Sequence, residues 1–250
     1  MSGHNKWSSI KHRKGAQDAK RGKVFTKIIR EITVAVRESG KELDTNSKLR
    51  TILLKAKEAN MPKDTVQTAI KRGAGEIQGE IYNEITYEGY GPSGVAVLVE
   101  ALTDNKNRTA SEVRNTFDKH GGNLGESGCV GWMFSRKGLI IIGEGNTSED
   151  HLMNLTVEAG AEDISHEADE FEITTASSSL DAVRKILEDA GLEIKSAEIT
   201  MLPQNTIKLE GKDAEKMLKL MNSLEDNEDV QNVYANFEID EKLIEKFAEN

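Results

Sequence analysis

A single cysteine, Cys129, stands in 250 residues, so no intramolecular disulfide can form, and this usage suits a reducing compartment. Long apolar runs are also missing. Residues 95–99 and 139–142 are the longest aliphatic stretches, far short of the roughly 20 residues that cross a bilayer. The N-terminus is basic with no apolar stretch behind it, which is not the pattern of a secretion signal. A cytoplasmic chain without a membrane partner is expected. Metal-ligand spacing is absent too: His4, His12, His120, His151 and His166 are scattered and have one thiol between them, which speaks against zinc.

Catalytic constellations are equally scarce. The glycine-rich segment 121–128 follows an expected helix and precedes an expected strand. Phosphate-cradling loops run in the opposite order, strand then loop then helix, because a helix N-terminus must face the phosphate. The segment therefore reads as a helix stop and a turn. Cys129 and His120 could be drawn as nucleophile and base, yet nothing orients the pair, and Cys129 reads better as a buried strand residue. No catalytic residue, metal or cofactor is expected, and the chain is not read as an enzyme.

What is present is charge, unevenly spread. Residues 1–75 hold 18 of the 33 Lys and Arg but only 7 of the 43 Asp and Glu, a surplus of 11 cations on a body with a deficit of 21. Such asymmetry points to a polyanion partner for the basic part, nucleic acid first among them, with the acidic remainder repelling the same polymer.

The head reads as helices. Over residues 17–39, Val24, Phe25, Ile28, Ile29, Ile32, Ala35 and Val36 fall on one arc at 100° per residue, with Lys20, Lys23, Lys27, Arg30 and Arg37 opposite. A merely solvated face mixes signs, whereas this one is nearly all positive, with Glu31 and Glu38 toward its edge. A second helix follows an Asn46 or Ser47 cap through Leu49, Ile52, Leu53, Ala56 and Ala59. Pro62 fits the first turn of a third helix carrying Val66, Ala69 and Ile70, which Gly73 stops, with Gly75 and Gly79 as a hinge. Three short helices make a small bundle. The 58–63 turn suggests helix-turn-helix, but no residue set singles out a recognition helix.

Ahead of the bundle, residues 3–14 crowd Lys, Arg and His around one Trp. Such an arm can order on a polyanion, with Trp7 stacking on a base. Alternatively, Trp7 and Ile10 fold back onto the bundle and the cations are solvated. The expected nucleic-acid contacts are Lys6, Trp7, Lys11, Arg13, Lys14, Lys20, Arg21, Lys23, Lys27 and Arg30. Lys106 and Arg108 flank a helix start that favours anions and form a secondary anion contact in this reading. An ordinary polar loop is the plainer alternative there.

The body shows nested repeats. Strands are expected at 84–88, 95–102 and 130–134, with a helix opened by the capping-box pattern Thr109 to Glu112. Strand 139–142, helix 148–159, strands 163–165 and 171–175, helix 180–190 and strand 192–200 spell one complete β-α-β-β-α-β ferredoxin-like unit. Strand 206–209, helix 214–224 and strand 230–239 then supply the second half of another. The expected fold is multidomain, α and α+β: an N-terminal three-helix bundle with its arm (1–78), a discontinuous ferredoxin-like domain (79–135 and 203–240), and a second ferredoxin-like domain inserted in it (136–202). A linear array would leave two half-sheets with exposed edges. Neither unit has the basic-aromatic strands of an RNA-recognition motif, so their sheets are expected to serve protein contact or homodimerisation.

The segment Gly3-His4-Asn5-Lys6-Trp7-Ser8-Ser9-Ile10-Lys11-His12-Arg13-Lys14, with Asp18, Arg21-Gly22-Lys23 and Phe25-Thr26-Lys27, resembles the N-terminal signature of the YebC/PmpR family of regulatory proteins. Ala59-Asn60-Met61-Pro62, Tyr87-Glu88-Gly89-Tyr90-Gly91-Pro92, residues 103–109, residues 120–125 and Ala235-Asn236-Phe237-Glu238 extend the resemblance to nearly the whole chain. Asn5 departs from a common serine. The resemblance implies three domains and a non-enzymatic protein. It implies either of two functions: a DNA-binding transcriptional regulator, or a ribosome-associated translation factor that binds ribosomal RNA and relieves stalled translation, as the mitochondrial relative activates translation of a cytochrome oxidase subunit. Charge alone supports both, because it reads phosphates and not sugars. Binding that survived high salt would instead indicate a protein scaffold.

Overall fold

The computed structural model describes residues 7, 18–145, 147–167 and 169–248. Helices α1 (Asp18–Ser39), α2 (Ser47–Glu58) and α3 (Lys63–Gly73) form the head. Their apolar residues recur at helical spacing and meet in one cluster of Ile28, Ile32, Val36, Leu49, Ile52, Ala56, Met61 and Ala69. Asn46 caps α2: its Oδ1 accepts from Leu49 N at 2.9 Å, while its amide donates to Ala35 O at 2.9 Å and Gly40 O at 2.7 Å. One buried side chain thus satisfies groups at the end of α1 and the start of α2. Pro62 is the N-cap of α3, one residue ahead of its expected place. Gly73 does more than stop α3, because a Cβ there would lie 2.6 Å from Thr33 O and 2.7 Å from Val36 Cβ. The close approach of α3 to α1 requires glycine.

In the body, β4 (Phe134–Gly143), α5 (Glu149–Thr156), β5 (Ala161–Glu167), β6 (Glu170–Ala176), α6 (Leu180–Asp189) and β7 (Ile194–Pro203) are contiguous in the chain. Their sheet has the order β5-β6-β4-β7 with every pair antiparallel, the ferredoxin-like arrangement of a β-α-β-β-α-β unit. Ile140, Ile142 and Ile173 on its inner face pack against Leu152, Val183 and Leu187 of the helices. Pairing of β4 with β7 runs from Phe134↔Pro203, so the strands reach slightly beyond 136–202.

The other sheet draws strands from both sides of this unit. Strands β1 (Asn83–Tyr90), β2 (Ala96–Thr103) and β3 (Asn123–Leu124) precede it, as does α4 (Lys106–Lys119). The later elements are β8 (Ile207–Lys208), α7 (Gly211–Glu225), β9 (Val230–Ala235), β10 (Phe237–Glu238) and α8 (Glu241–Ala248). The sheet order is β3-β1-β2-β9. Central β2 is covered on both faces. Val97 and Val99 meet Phe117, Met217, Leu218 and Met221 of α4 and α7, while Ala96 and Leu98 meet Val130, Phe134 and Tyr234.

Four expectations change here. Residues 130–134 do not form a strand but a 3₁₀ turn, Gly131–Met133, before β4 begins. The reason is chemical: the N–H groups of Gly128, Val130 and Gly131 donate to the buried Glu88 carboxylate at 2.7, 2.8 and 2.6 Å, so they are not available to a strand partner. Residues 207–208 pair in parallel with β10 in a separate two-stranded ribbon, and the vacant place in the four-stranded sheet is taken by β1. Helix α4 starts at Lys106, capped by Asn105, which accepts from Arg108 N at 3.1 Å. Thr109 is buried inside the first turn and is no cap. Finally, α8 lies beyond the expected last strand and packs Leu243, Ile244 and Phe247 on the α4–α7 core.

Candidate nucleic-acid interface

Lys23, Lys27 and Arg30 are spaced four and three residues apart, which aligns them in one stripe along α1. The stripe faces the body. Lys23 Nζ donates to Asp226 O at 3.2 Å and Lys27 Nζ to Glu225 O at 2.7 Å, both at the C-terminal end of α7, where the dipole and the unsatisfied carbonyls favour cations. Arg30 donates to Glu228 O and to Asp229 Oδ1, the latter at 2.7 Å, with its guanidinium 5.3 Å from the centre of the Tyr82 ring. Arg30 is only 8% exposed.

Asp229 is the hub of this contact. Its Oδ2 accepts from Thr109 Oγ1 at 2.6 Å, Arg108 Nη2 at 2.8 Å and Thr103 Oγ1 at 3.1 Å. Burial pushes its carboxyl up, but the Thr109 hydroxyl, Arg108 and Arg30 together outweigh burial and hold it below the ordinary carboxylate range. Further contacts support the same docking. Val34 packs with Tyr82 and Leu102, Arg37 Nη2 donates to Tyr82 O at 2.6 Å, and Lys48 pairs with Glu84 at 2.7 Å.

Trp7 is not on the bundle and its ring is not in solvent. It is 2% exposed in the α4–α7 core, with its ring 5.8 Å from that of Phe247 and Nε1 donating to Glu225 Oε1 at 2.9 Å. In this arrangement the indole is a packing group of the body, and both readings of it in the sequence, base stacking and folding back on the bundle, give way to this third one. Of the other expected contacts, Lys6, Lys11, Arg13, Lys14 and the side chain of Lys20 lie outside the described residues. Arg21 is exposed beside the 59–62 turn, donating to Asn60 O at 3.4 Å and lying 5.5 Å from the centre of the Phe25 ring.

Arg108 is no free anion contact, since Asp104 and Asp229 both hold it at 2.8 Å. The adjoining open cleft of about 340 Å³ is lined by Arg30 and Arg108 but also by Glu80, Asp104, Glu112, Glu228 and Asp229, a lining that repels anions. Lys106 is exposed at the start of α4. Sequence reasoning passed over Lys57, Lys63, Lys71 and Arg72 of the head, which are exposed. It also passed over segment 225–229, whose four carboxylates in five residues were the legible signal of a place for the cationic stripe.

Two family models cover the chain: the "TACO1/YebC protein N-terminal domain" matches residues 5–76 and the "TACO1/YebC second and third domain" matches residues 82–237. The chain belongs to the TACO1/YebC family. A probable transcriptional regulatory protein of Geobacter sp. (strain M21) is 58% identical over 246 residues, covering 98% of this chain and 99% of that one. Another, of Desulfotalea psychrophila, is 54% identical over the full length of both. A crystal structure of a conserved hypothetical protein from Aquifex aeolicus matches with a TM-score of 0.78 at 49% identity, covering 89% of this chain and 92% of that one. The TACO1/YebC matches fall on either side of residues 77–81, between α3 and β1.

Proposed function

We propose that this TACO1/YebC protein is a regulator of gene expression that binds nucleic acid through its basic head, with DNA as the target, in the cytoplasm and without catalysis. The observation that carries the reading is the surplus of 11 cations on residues 1–75 against the acidic body. The relatives named probable transcriptional regulatory proteins support it. In this reading Lys6, Lys11, Arg13, Lys14, Lys20 and Arg21 meet phosphates from the arm and the start of α1. Lys57, Lys63, Lys71 and Arg72 are further exposed cations of the head that can meet phosphates. Phosphate contacts of this kind position a protein without reading bases, so discrimination among short duplexes should be modest.

Crosslinking in cells followed by sequencing of the bound nucleic acid tests the choice of polymer. Recovery of promoter DNA, with footprints at those sites, is the expected result. Recovery of ribosomal RNA, with the protein sedimenting on ribosomes, would replace transcription with translation as the level at which it acts.

A further inference from the structure

The stripe Lys23–Lys27–Arg30 grips the end of α7 and the loop after it as it would grip a phosphate backbone. Three cations in line meet a run of oxygen acceptors, the carbonyls of Glu225, Asp226 and Glu228 and the carboxylate of Asp229, in a segment with four acidic residues in five. We propose that segment 225–229 is an intramolecular stand-in for nucleic-acid backbone: it occupies the α1 stripe in the docked head, and a polyanion that displaces it gains that stripe as a second contact surface. The proposal rests on the nucleic-acid reading above and adds an autoinhibited state to it.

Three features make the exchange physically reasonable. Asp229 is not orphaned when Arg30 leaves, because Arg108, Thr109 and Thr103 still donate to it; the cost of an unpaired buried carboxylate is avoided. Arg30 is not fully satisfied in the docked state, since its Nε is buried without an acceptor, and a phosphate oxygen could accept from it. On this side the apolar seal between head and body is narrow, formed by Val34, Tyr82 and Leu102. Two other polar ties lie on this side: Arg37 donates to Tyr82 O, and Lys48 pairs with Glu84 through side chains that are each about half exposed, a kind of pair that holds weakly.

The test locks the head without touching the stripe. In a full-length Cys129→Ser background, Lys48→Cys and Glu84→Cys are joined by a short, reductively cleavable bismaleimide, and binding of random-sequence duplex DNA and of structured RNA is measured against salt. With three phosphate contacts withheld, the linked protein should bind about tenfold or more weakly, and its log–log salt slope should be shallower by about 2.7. Cleaving the linker should restore both. Asp226→Asn with Glu228→Gln, two exposed positions of the segment, should tighten binding roughly threefold or more in the released protein by weakening the stand-in, and less in the linked one. Equal affinity and slope before and after cleavage would overturn the proposal while leaving the nucleic-acid reading intact. No binding in either state would overturn both.

Discussion

Glu88 is a buried carboxylate whose two oxygens receive three backbone N–H groups from the loop 128–131. Burial raises its pKa, but the three donors outweigh that and bring it below the ordinary glutamate value. A group lowered in this way stabilises the fold fully above the unfolded pKa of about 4.3, and the contribution is lost as pH falls through the folded value. Glu88→Gln should therefore cost about 1–3 kcal/mol near neutral pH by denaturant unfolding, and the difference from the parent should shrink toward acid pH. Trp7→Ala should cost about 3 kcal/mol or more, because it empties a buried aromatic site; an indole used only for base stacking would leave unfolding unchanged. Tight positions such as Asn46 were legible in the sequence because a cap is a local event. The site of Trp7 was not, since its partners Glu225 and Phe247 lie more than two hundred residues away, and no element was expected at α8 although Leu243, Ile244 and Phe247 recur there at helical spacing.

At the scale of elements, the ferredoxin-like unit from β4 to β7 was legible because each of its parts is bounded by turns and carries its own period. Its neighbour was legible only in outline. Alternation around Val130 resembles a strand, and nothing local tells that Glu88, forty residues earlier, has captured the N–H groups a strand would need. Likewise the pattern at 206–209 cannot reveal that β1 already fills its place in the sheet. We expect residues 134–203 to fold alone with a cooperative melt, small as that unit is. Residues 79–133 and 204–248 should do so only when joined by a short Gly/Ser linker, because β9 pairs with β2 across the gap. Cooperative melting of residues 79–133 in isolation would contradict the discontinuous reading. Within the head, Gly73→Ala should lower stability by about 1–3 kcal/mol as the new Cβ meets Thr33 O and Val36, measurable as a shift of the denaturant midpoint.

For the whole molecule, the division of charge was visible in the sequence, but its use was not. A nearly all-positive stripe opposite an apolar arc reads as a face for phosphates, and only the folded chain shows Lys23, Lys27 and Arg30 lying on the acidic end of α7. Head and body thus attract one another through the same charges that give the head its affinity for a polyanion. Whether the head carries that affinity is decided by titrating salt against nucleic-acid binding of the full chain and of a fragment starting at residue 79. With about six phosphate contacts, affinity of the full chain should fall by roughly 10³-fold between about 50 and 200 mM salt, and the fragment should not bind. Binding by the fragment equal to that of the full chain, or full-chain binding indifferent to salt, would contradict the account.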